Sequence, residues 1–376
     1  MEFRDLKAQY GVLKNPIDSA IASVLSSGQF IGGIPVAELE GDLAGYVGVD
    51  HCLTCANGTD ALELALLAWG VGAGDAVFVP DFTFFSSGEV VPLVSATPVF
   101  VDVDPVTFNI DPASLRRSVA WVRENTELVP KAVVAVDLFG LPADFPVIRT
   151  ICSEEGMFLL EDGAQGFGGM IEDARACSFG DISTTSFFPA KPLGCYGDGG
   201  AVFTNGAGWD ALMRSFAVHG KGLMKYDNVR IGMNSRLDAL HAAILSVKLE
   251  AFADHEVKDV NQVASWYDEA LADLGWELPV VPKGYLSSWA QYTVKVPENM
   301  DRAVVQKALA THDVPTMVYY PRPMHEQPAF KDLGLSLDGC PVTVDLCSRV
   351  LSLPMGPYMT HKDVQQVATA FKELLS

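Results

Sequence analysis

Positive charge is what this chain has least of. Its 376 residues hold 26 lysines and arginines against 47 aspartates and glutamates, a net charge of −21. A surface of that sign excludes nucleic acid as a polymeric partner, because phosphate backbones need a basic stripe. The surplus acid serves solubility. Long apolar runs are missing too. The richest stretch, Ala76 to Val103, is broken by Pro80, Asp81, the Ser86-Ser87 pair and Pro92. No segment is therefore expected to span a bilayer, and no membrane partner is expected. The opening Met1-Glu-Phe-Arg-Asp5 has neither the basic start nor the apolar stretch of a secretory signal, so a cytoplasmic protein is expected. Cysteines number only seven, an odd count, and most sit in apolar contexts, the pattern of reduced buried thiols. Cys52 and Cys55 form a CxxC with no second pair and no histidine pair beside it, so no metal site is expected there. Internal repeats, low-complexity segments and charged tails are absent from the sequence.

What remains is a long, apolar-rich chain. About half its residues, 49%, are hydrophobic, enough for a substantial core, and the length suits a large lobe followed by a small one. Amphipathic spacing predicts helices over Asn15–Leu25, Val36–Val47 and Asp60–Trp69. Short apolar strands are predicted at Ala76–Val79, Pro98–Val101, Lys131–Leu138, Met157–Leu160 and Ala201–Thr204. Such alternation predicts an α/β architecture with a mostly parallel sheet between helices, whose ligands bind beyond the carboxyl ends of the strands. Ser235–Phe252 reads as a long helix. Beyond it, strands at Trp289–Val296 and Thr316–Tyr320 and helices at Arg302–His312 and His361–Leu375 suggest a smaller α+β unit. The division is placed at residues 1–250 and 251–376.

One segment carries chemistry. Thr185-Ser-Phe-Phe-Pro-Ala-Lys-Pro-Leu-Gly-Cys-Tyr-Gly-Asp-Gly-Gly200 sets Lys191 among Phe187, Phe188 and Leu193, ahead of a glycine-rich turn. An amine in apolar surroundings loses part of its preference for the ammonium form, and a neutral amine is what attack on a carbonyl needs. Upstream, the apolar run Phe158-Leu-Leu-Glu-Asp162 delivers an acid at a strand end, with its neighbour Glu161 expected to face away. A lysine for a Schiff base and an acid for a pyridine nitrogen are the pairing used with pyridoxal 5′-phosphate (PLP). Taken singly, each residue has a plainer reading: a loop lysine is usually a solvated charge, and a strand-end aspartate a turn former or cap. Asn57-Gly-Thr-Asp60 adds a helix start whose free amides and Thr59 hydroxyl suit a phosphate.

Together these segments resemble the sugar-nucleotide aminotransferases of the DegT or StrS family. The likeness runs through Phe3-Arg-Asp-Leu-Lys-Ala-Gln-Tyr10, Cys55-Ala-Asn-Gly-Thr-Asp-Ala-Leu62, Ala96–Asp102, Ile231-Gly-Met-Asn-Ser-Arg-Leu-Asp238 and Leu351–Tyr358, nearly the whole chain. It implies PLP fold type I, with a sheet of the seven-stranded type in the large domain and a smaller C-terminal domain. It implies PLP, cycling with pyridoxamine phosphate, as cofactor, and Lys191 as the residue that holds it and shuttles the proton. Gly58, Thr59, Asp60 and Ser186 match the phosphate end, Phe84 the aromatic stacked on the ring, Asp162 the partner of the ring nitrogen, and Gln165 the residue beside the ring hydroxyl. Asn234 matches a phosphate ligand supplied by a neighbouring subunit, which implies a homodimer with shared sites.

The same resemblance implies a nucleotide-sugar and L-glutamate as substrates, in the making of cell-surface polysaccharide such as O-antigen. Arg236, Tyr319, Tyr320, Arg322 and His325 match the sugar pocket. The pattern is nearest to relatives acting on a UDP-linked N-acetylated 3-keto-uronic acid, but these often carry His-Tyr-Pro where this chain has Tyr319-Tyr320-Pro321. Arg322 compensates for that change, or the sugar is neutral. A dTDP- or GDP-linked keto-deoxy sugar is the alternative substrate. A dehydratase reading fails on Lys191, since those relatives replace it with histidine, and a non-catalytic PLP-binding regulator is disfavoured by the intact Lys191, Asp162 and phosphate turn.

Overall fold

Thirteen strands form among the described residues: β1 (His51–Cys55), β2 (Asp75–Pro80), β3 (Thr97–Val101), β4 (Val129–Val136), β5 (Phe158–Asp162), β6 (Met170–Ile171), β7 (Ala174–Arg175), β8 (Ile182–Ser186), β9 (Gly200–Thr204), β10 (Tyr285–Leu286), β11 (Tyr292–Lys295), β12 (Leu335–Ser336) and β13 (Val350–Leu353). They are seen in a computed structural model that describes residues 1–224 and 226–374. The main sheet runs β1-β9-β8-β5-β4-β2-β3-β12. Pairing is parallel from β8 through β5, β4, β2 and β3 to β12, and β9 is antiparallel to both its neighbours. Seven strands thus come from residues 51–204, and the two-residue β12 adds an eighth at the edge.

Period-two alternation explains why the sheet is covered on both faces. Along β2, Val77 and Val79 join one apolar cluster while Ala76 and Phe78 join another. In β4 the same split separates Ala132, Val134 and Val136 from Val133 and Ala135. All seven cysteines are buried free thiols.

The helices depart from expectation in instructive ways. The first runs Leu6–Ser27 rather than from Asn15: Asp5 is the cap, accepting from Ala8 N at 2.9 Å, and the helix passes through Pro16. It stops at Gly28, whose φ of 67° is left-handed. The helix expected over Ser235–Phe252 begins at Ala239 and continues past Ala251, through a π turn at Phe252–Glu256, into Val257–Leu271. Beyond it, β11 and β13 pair antiparallel, and the helices Val257–Leu271, Arg302–Thr311 and His361–Leu374 pack an apolar cluster of their own. Leu375, the last residue expected in the closing helix, lies outside the described residues. The strand expected over Thr316–Tyr320 is a single bridge, Met317 to Ser352. Pro315, Pro321 and Pro323 bracket the segment, and proline neither donates to a ladder nor leaves its predecessor free.

Candidate active site

Parallel strands bring their carboxyl ends to one edge. There β1 gives way to the Asn57 turn, β2 to Asp81–Phe84, β5 ends at Asp162, and β8 ends at Ser186 and leads into the loop carrying Lys191. Asn57 caps the helix Gly58–Ala68 by accepting from Asp60 N at 2.8 Å. The amides of Gly58 and Thr59 precede Ala61 N, the first amide to donate within the helix, to Asn57 O at 3.2 Å, and are left for a ligand. A side chain on Gly58 would put its Cβ 2.8 Å from Ser186 Cβ, and one on Gly200 would lie 2.5 Å from Asn57 O. Turn, Ser186 and the start of β9 are therefore in close contact, and glycine is required for it. Thr59 Oγ1 shares a 2.8 Å hydrogen bond with Ser86 Oγ.

Asp162 is buried. Ser87 Oγ donates to its Oδ2 at 2.8 Å and Ala164 N to its Oδ1 at 3.2 Å. Burial pushes its carboxyl above the ordinary range, and the two hydrogen bonds and the charge of Lys191 oppose that. Its neighbour Glu161 takes the other face of β5, accepting from the amides of Cys177, Phe179 and Gly180 and from Ser183 Oγ. One strand thus offers a carboxylate used up by the fold next to one directed at the strand-end crevice.

Lys191 has its pKa lowered, first by burial, with Arg4 adding to the effect and Asp162 working against it. Its aromatic neighbour is not the one expected. Phe187 and Leu193 turn into an apolar cluster and Phe188 is exposed, whereas Nζ lies 5.9 Å from the ring centre of Phe84. Phe84 is 51% exposed, which is no core position for a phenylalanine. Gln165 is buried: its Oε1 accepts from Phe139 N at 2.8 Å and its Nε2 donates to Tyr320 Oη at 3.1 Å. Tyr320 in turn lies 6.2 Å from Phe84, ring to ring.

The structure thus brings together Gly58, Thr59, Asp60 and Ser186 at one turn, and Phe84, Asp162, Gln165, Lys191 and Tyr320 beside it. Other expected residues stand apart. Tyr319 packs edge-on against Phe3 at 6.3 Å, and Arg322 is exposed. His325 is tied to buried Asp81 through Nδ1 at 2.7 Å and through its amide at 2.8 Å, and its pKa is raised, first by the hydrogen bond to that carboxylate. Asn234 and Arg236 are exposed and hydrogen-bonded to each other, while Ser235 between them accepts from Ala56 N at 3.0 Å and holds the segment against the phosphate turn.

Two contributors escaped the sequence reading. Ser87 was legible only as a break in an apolar run, although adjacent serines inside an otherwise apolar helix are a signal of polar duty. Arg4, in the Phe3-Arg-Asp-Leu6 segment, donates to the backbone of Lys191 at 3.1 Å.

These residues fit PLP. Free amides and a serine hydroxyl face one another at a helix start, an amine whose pKa burial lowers lies over an open aromatic face, and a buried carboxylate waits with a hydroxyl behind it.

Residues 12–372 match the model of the DegT/DnrJ/EryC1/StrS aminotransferase family. The chain is 43% identical to a UDP-2-acetamido-2-deoxy-3-oxo-D-glucuronate aminotransferase of Pseudomonas aeruginosa, covering 98% of this chain and 99% of the relative. It is 38% identical to a UDP-N-acetyl-3-dehydro-alpha-D-glucosamine 3-aminotransferase of Acidithiobacillus ferrooxidans, covering 99% and 97%. Its fold superposes with a TM-score of 0.96 on a crystal structure of an aminotransferase of the same family from Brucella abortus, at 44% identity and covering 100% and 99%. Aminotransferases of this family work with PLP and its amino form, pyridoxamine phosphate.

Proposed function

We propose that this chain, which belongs to the DegT/DnrJ/EryC1/StrS aminotransferase family and is a transaminase, moves the amino group of L-glutamate to C3 of a UDP-linked N-acetylated keto sugar or its uronic acid. The observation that carries the reading is the amine of Lys191, its pKa lowered by burial, lying near Asp162 and over Phe84 at the strand ends. PLP, when bound, supplies the electron sink. Lys191 would hold it, and its side-chain amine would accept and return the proton that the transfer moves. Asp162 would pair with the ring nitrogen and favour its protonated form, Phe84 would cover the ring face, and Gln165 would lie beside the ring hydroxyl. Gly58, Thr59, Asp60 and Ser186 bind the phosphate. Asn234 reaches the phosphate of a neighbouring subunit, so the working unit is a homodimer with two shared sites. Its exposed position, with only Arg236 as side-chain partner among the described residues, supports that role.

Arg236, Tyr319, Tyr320, Arg322 and His325 form the sugar side of the site. An acidic chain that binds an anionic nucleotide-sugar must gather positive charge there, and exposed Arg322 supplies what Tyr319 does not. Residues 1–250 hold the cofactor and residues 251–376 form a second domain, which an apolar cluster drawn from residues 260–371 supports, while Met324, Phe330, Leu346, Cys347 and Val350 pack with the first domain. No helix among the described residues is long and apolar enough to cross a membrane, and we place the enzyme in the cytoplasm, where nucleotide sugars for polysaccharide are made.

Borohydride reduction of the PLP-loaded protein followed by peptide mapping should label Lys191, and a label on another lysine refutes the assignment. A panel of UDP-, dTDP- and GDP-keto sugars tests the acceptor. Arg322→Ala should weaken binding of the uronate alone, by up to about 1 kcal/mol, as for an exposed ion pair. Equal loss on a neutral analogue places Arg322 on the diphosphate instead.

A further inference from the structure

The loop that carries Lys191 is held by its backbone as well as by its site. Three of its carbonyl oxygens accept from two cations. Arg4 Nη2 donates to Lys191 O at 3.1 Å and to Pro192 O at 3.5 Å, and Lys248 Nζ donates to Gly194 O. Lys248 belongs to the helix Ala239–Ala251 and is only 1% exposed, with Nζ 5.0 Å from the ring centre of Tyr196. One carboxylate offsets both cations: Glu256, 2% exposed, in the π turn that follows the helix. It lies beyond ion-pair distance of each among the described residues, and its Oε1 accepts from Gln9 Nε2 at 2.9 Å and Tyr358 Oη at 2.6 Å. Residues 4 and 9, 248 and 256, and 358 thus converge behind one loop.

Burying an ammonium group is costly, and a methionine would fill the same volume without that cost. Packing therefore does not explain Lys248. What the charge provides is a grip on Gly194 O, three residues from Lys191, in a loop that lies outside any helix or strand. The loop folds back tightly there, since a Cβ on Gly194 would lie 2.5 Å from Pro189 O. A displacement of about 1 Å at a reacting group can cost on the order of 10² in rate. A loop without ladder hydrogen bonds needs such outside support to hold an amine in place.

We propose that Lys248 and Arg4, with Glu256 as their shared counter-charge, are positioning residues that fix the 191–194 backbone so that the Lys191 amine meets Asp162 and Phe84. This role rests on Lys191 being the lysine that holds the cofactor.

The test uses the PLP-loaded protein and its Lys248→Met, Lys248→Arg and Arg4→Met variants, read by pH titration of the bound cofactor's absorbance and by the glutamate half-reaction. Lys248→Met should keep the chromophore but move its titration midpoint by ~0.5 pH unit or more. Its kcat should fall by about tenfold or more with KM within about twofold, the mark of an effect on the reacting geometry rather than on binding. Lys248→Arg should restore most of the kcat. Arg4→Met removes a positive neighbour, so its titration midpoint should rise. A Lys248→Met protein that loses thermal stability but keeps the parental kcat and midpoint overturns the proposal and leaves a purely structural lysine. Should Lys248→Met not fold, Arg4→Met decides on the same two readouts, because Arg4 is partly exposed. Lys191→Ala, run alongside, should lose the covalent chromophore. If it keeps it, the assignment of Lys191 fails, whereas a Lys191-dependent chromophore indifferent to Lys248 and Arg4 sinks the positioning role alone.

Discussion

The two settings of Lys191 differ in how they are built. Its side chain meets residues that end neighbouring strands: Asp162 from β5, and Phe84 just beyond β2. Its backbone is anchored by Arg4 and Lys248, which sit far away in sequence on helical or terminal segments. The first setting is assembled by the parallel sheet itself, because strands running the same way must finish at the same edge. The second depends on the segment before the first helix and on the helix Ala239–Ala251 packing behind the loop. The proposed chemistry rests on the first, and the proposed precision with which the amine is presented rests on the second.

Removing the amine should break the first setting outright. Lys191→Ala should form no covalent link to PLP and show no measurable turnover, checked by absorbance and by the full transaminase assay. Asp162→Asn keeps the shape and removes the charge, so it should lower turnover by on the order of 10² or more with PLP still bound, as for loss of a key electrostatic group. Near-normal turnover in that variant would leave Asp162 as a strand-end cap.

The second setting should show itself in the pH dependence of stability as well as in turnover. Burial holds Lys248 at about 8, below the ordinary 10.5, with Glu256 and Cys195 opposing and Arg4 reinforcing the shift. Between those two pH values the unfolded chain carries a proton that the folded chain has shed, so this group's contribution to stability rises with pH across that window. Below it the cost of the buried charge is fully present. Urea unfolding from pH 7.5 to 10.5 should therefore show the parent gaining about 2–3 kcal/mol relative to Lys248→Met. Parallel curves for the two proteins would mean that Lys248 titrates in the fold as it does in the unfolded chain, its ammonium form not disfavoured by burial.

The smallest effect should come from the support behind Asp162. Ser87→Ala removes one hydrogen bond to a buried carboxyl, and turnover should drop about tenfold with little change in KM. A change in KM alone would place Ser87 on substrate binding instead.

The sequence by itself determined the alternation of strands and helices, the sheet that follows from it, and the residues at the strand ends, because periodicity and turn chemistry are local. Asn57-Gly-Thr-Asp60, Asp162 and Lys191 were legible for that reason. Boundaries that depend on partners were not. The first helix, expected from Asn15, starts at Leu6 on the cap of Asp5, and the helix after Asp238 runs on through the π turn to Leu271 because both sides of it find partners. Only the tertiary structure decided that Phe84, rather than Phe187 or Phe188, faces the Lys191 amine, that His325 is bound to Asp81, and that Ser87 stands behind Asp162. Nor does any local pattern mark Lys248 as buried against Gly194 O. Which side chain meets which is fixed by packing across tens or hundreds of residues, and spacing along the chain carries no record of those distances.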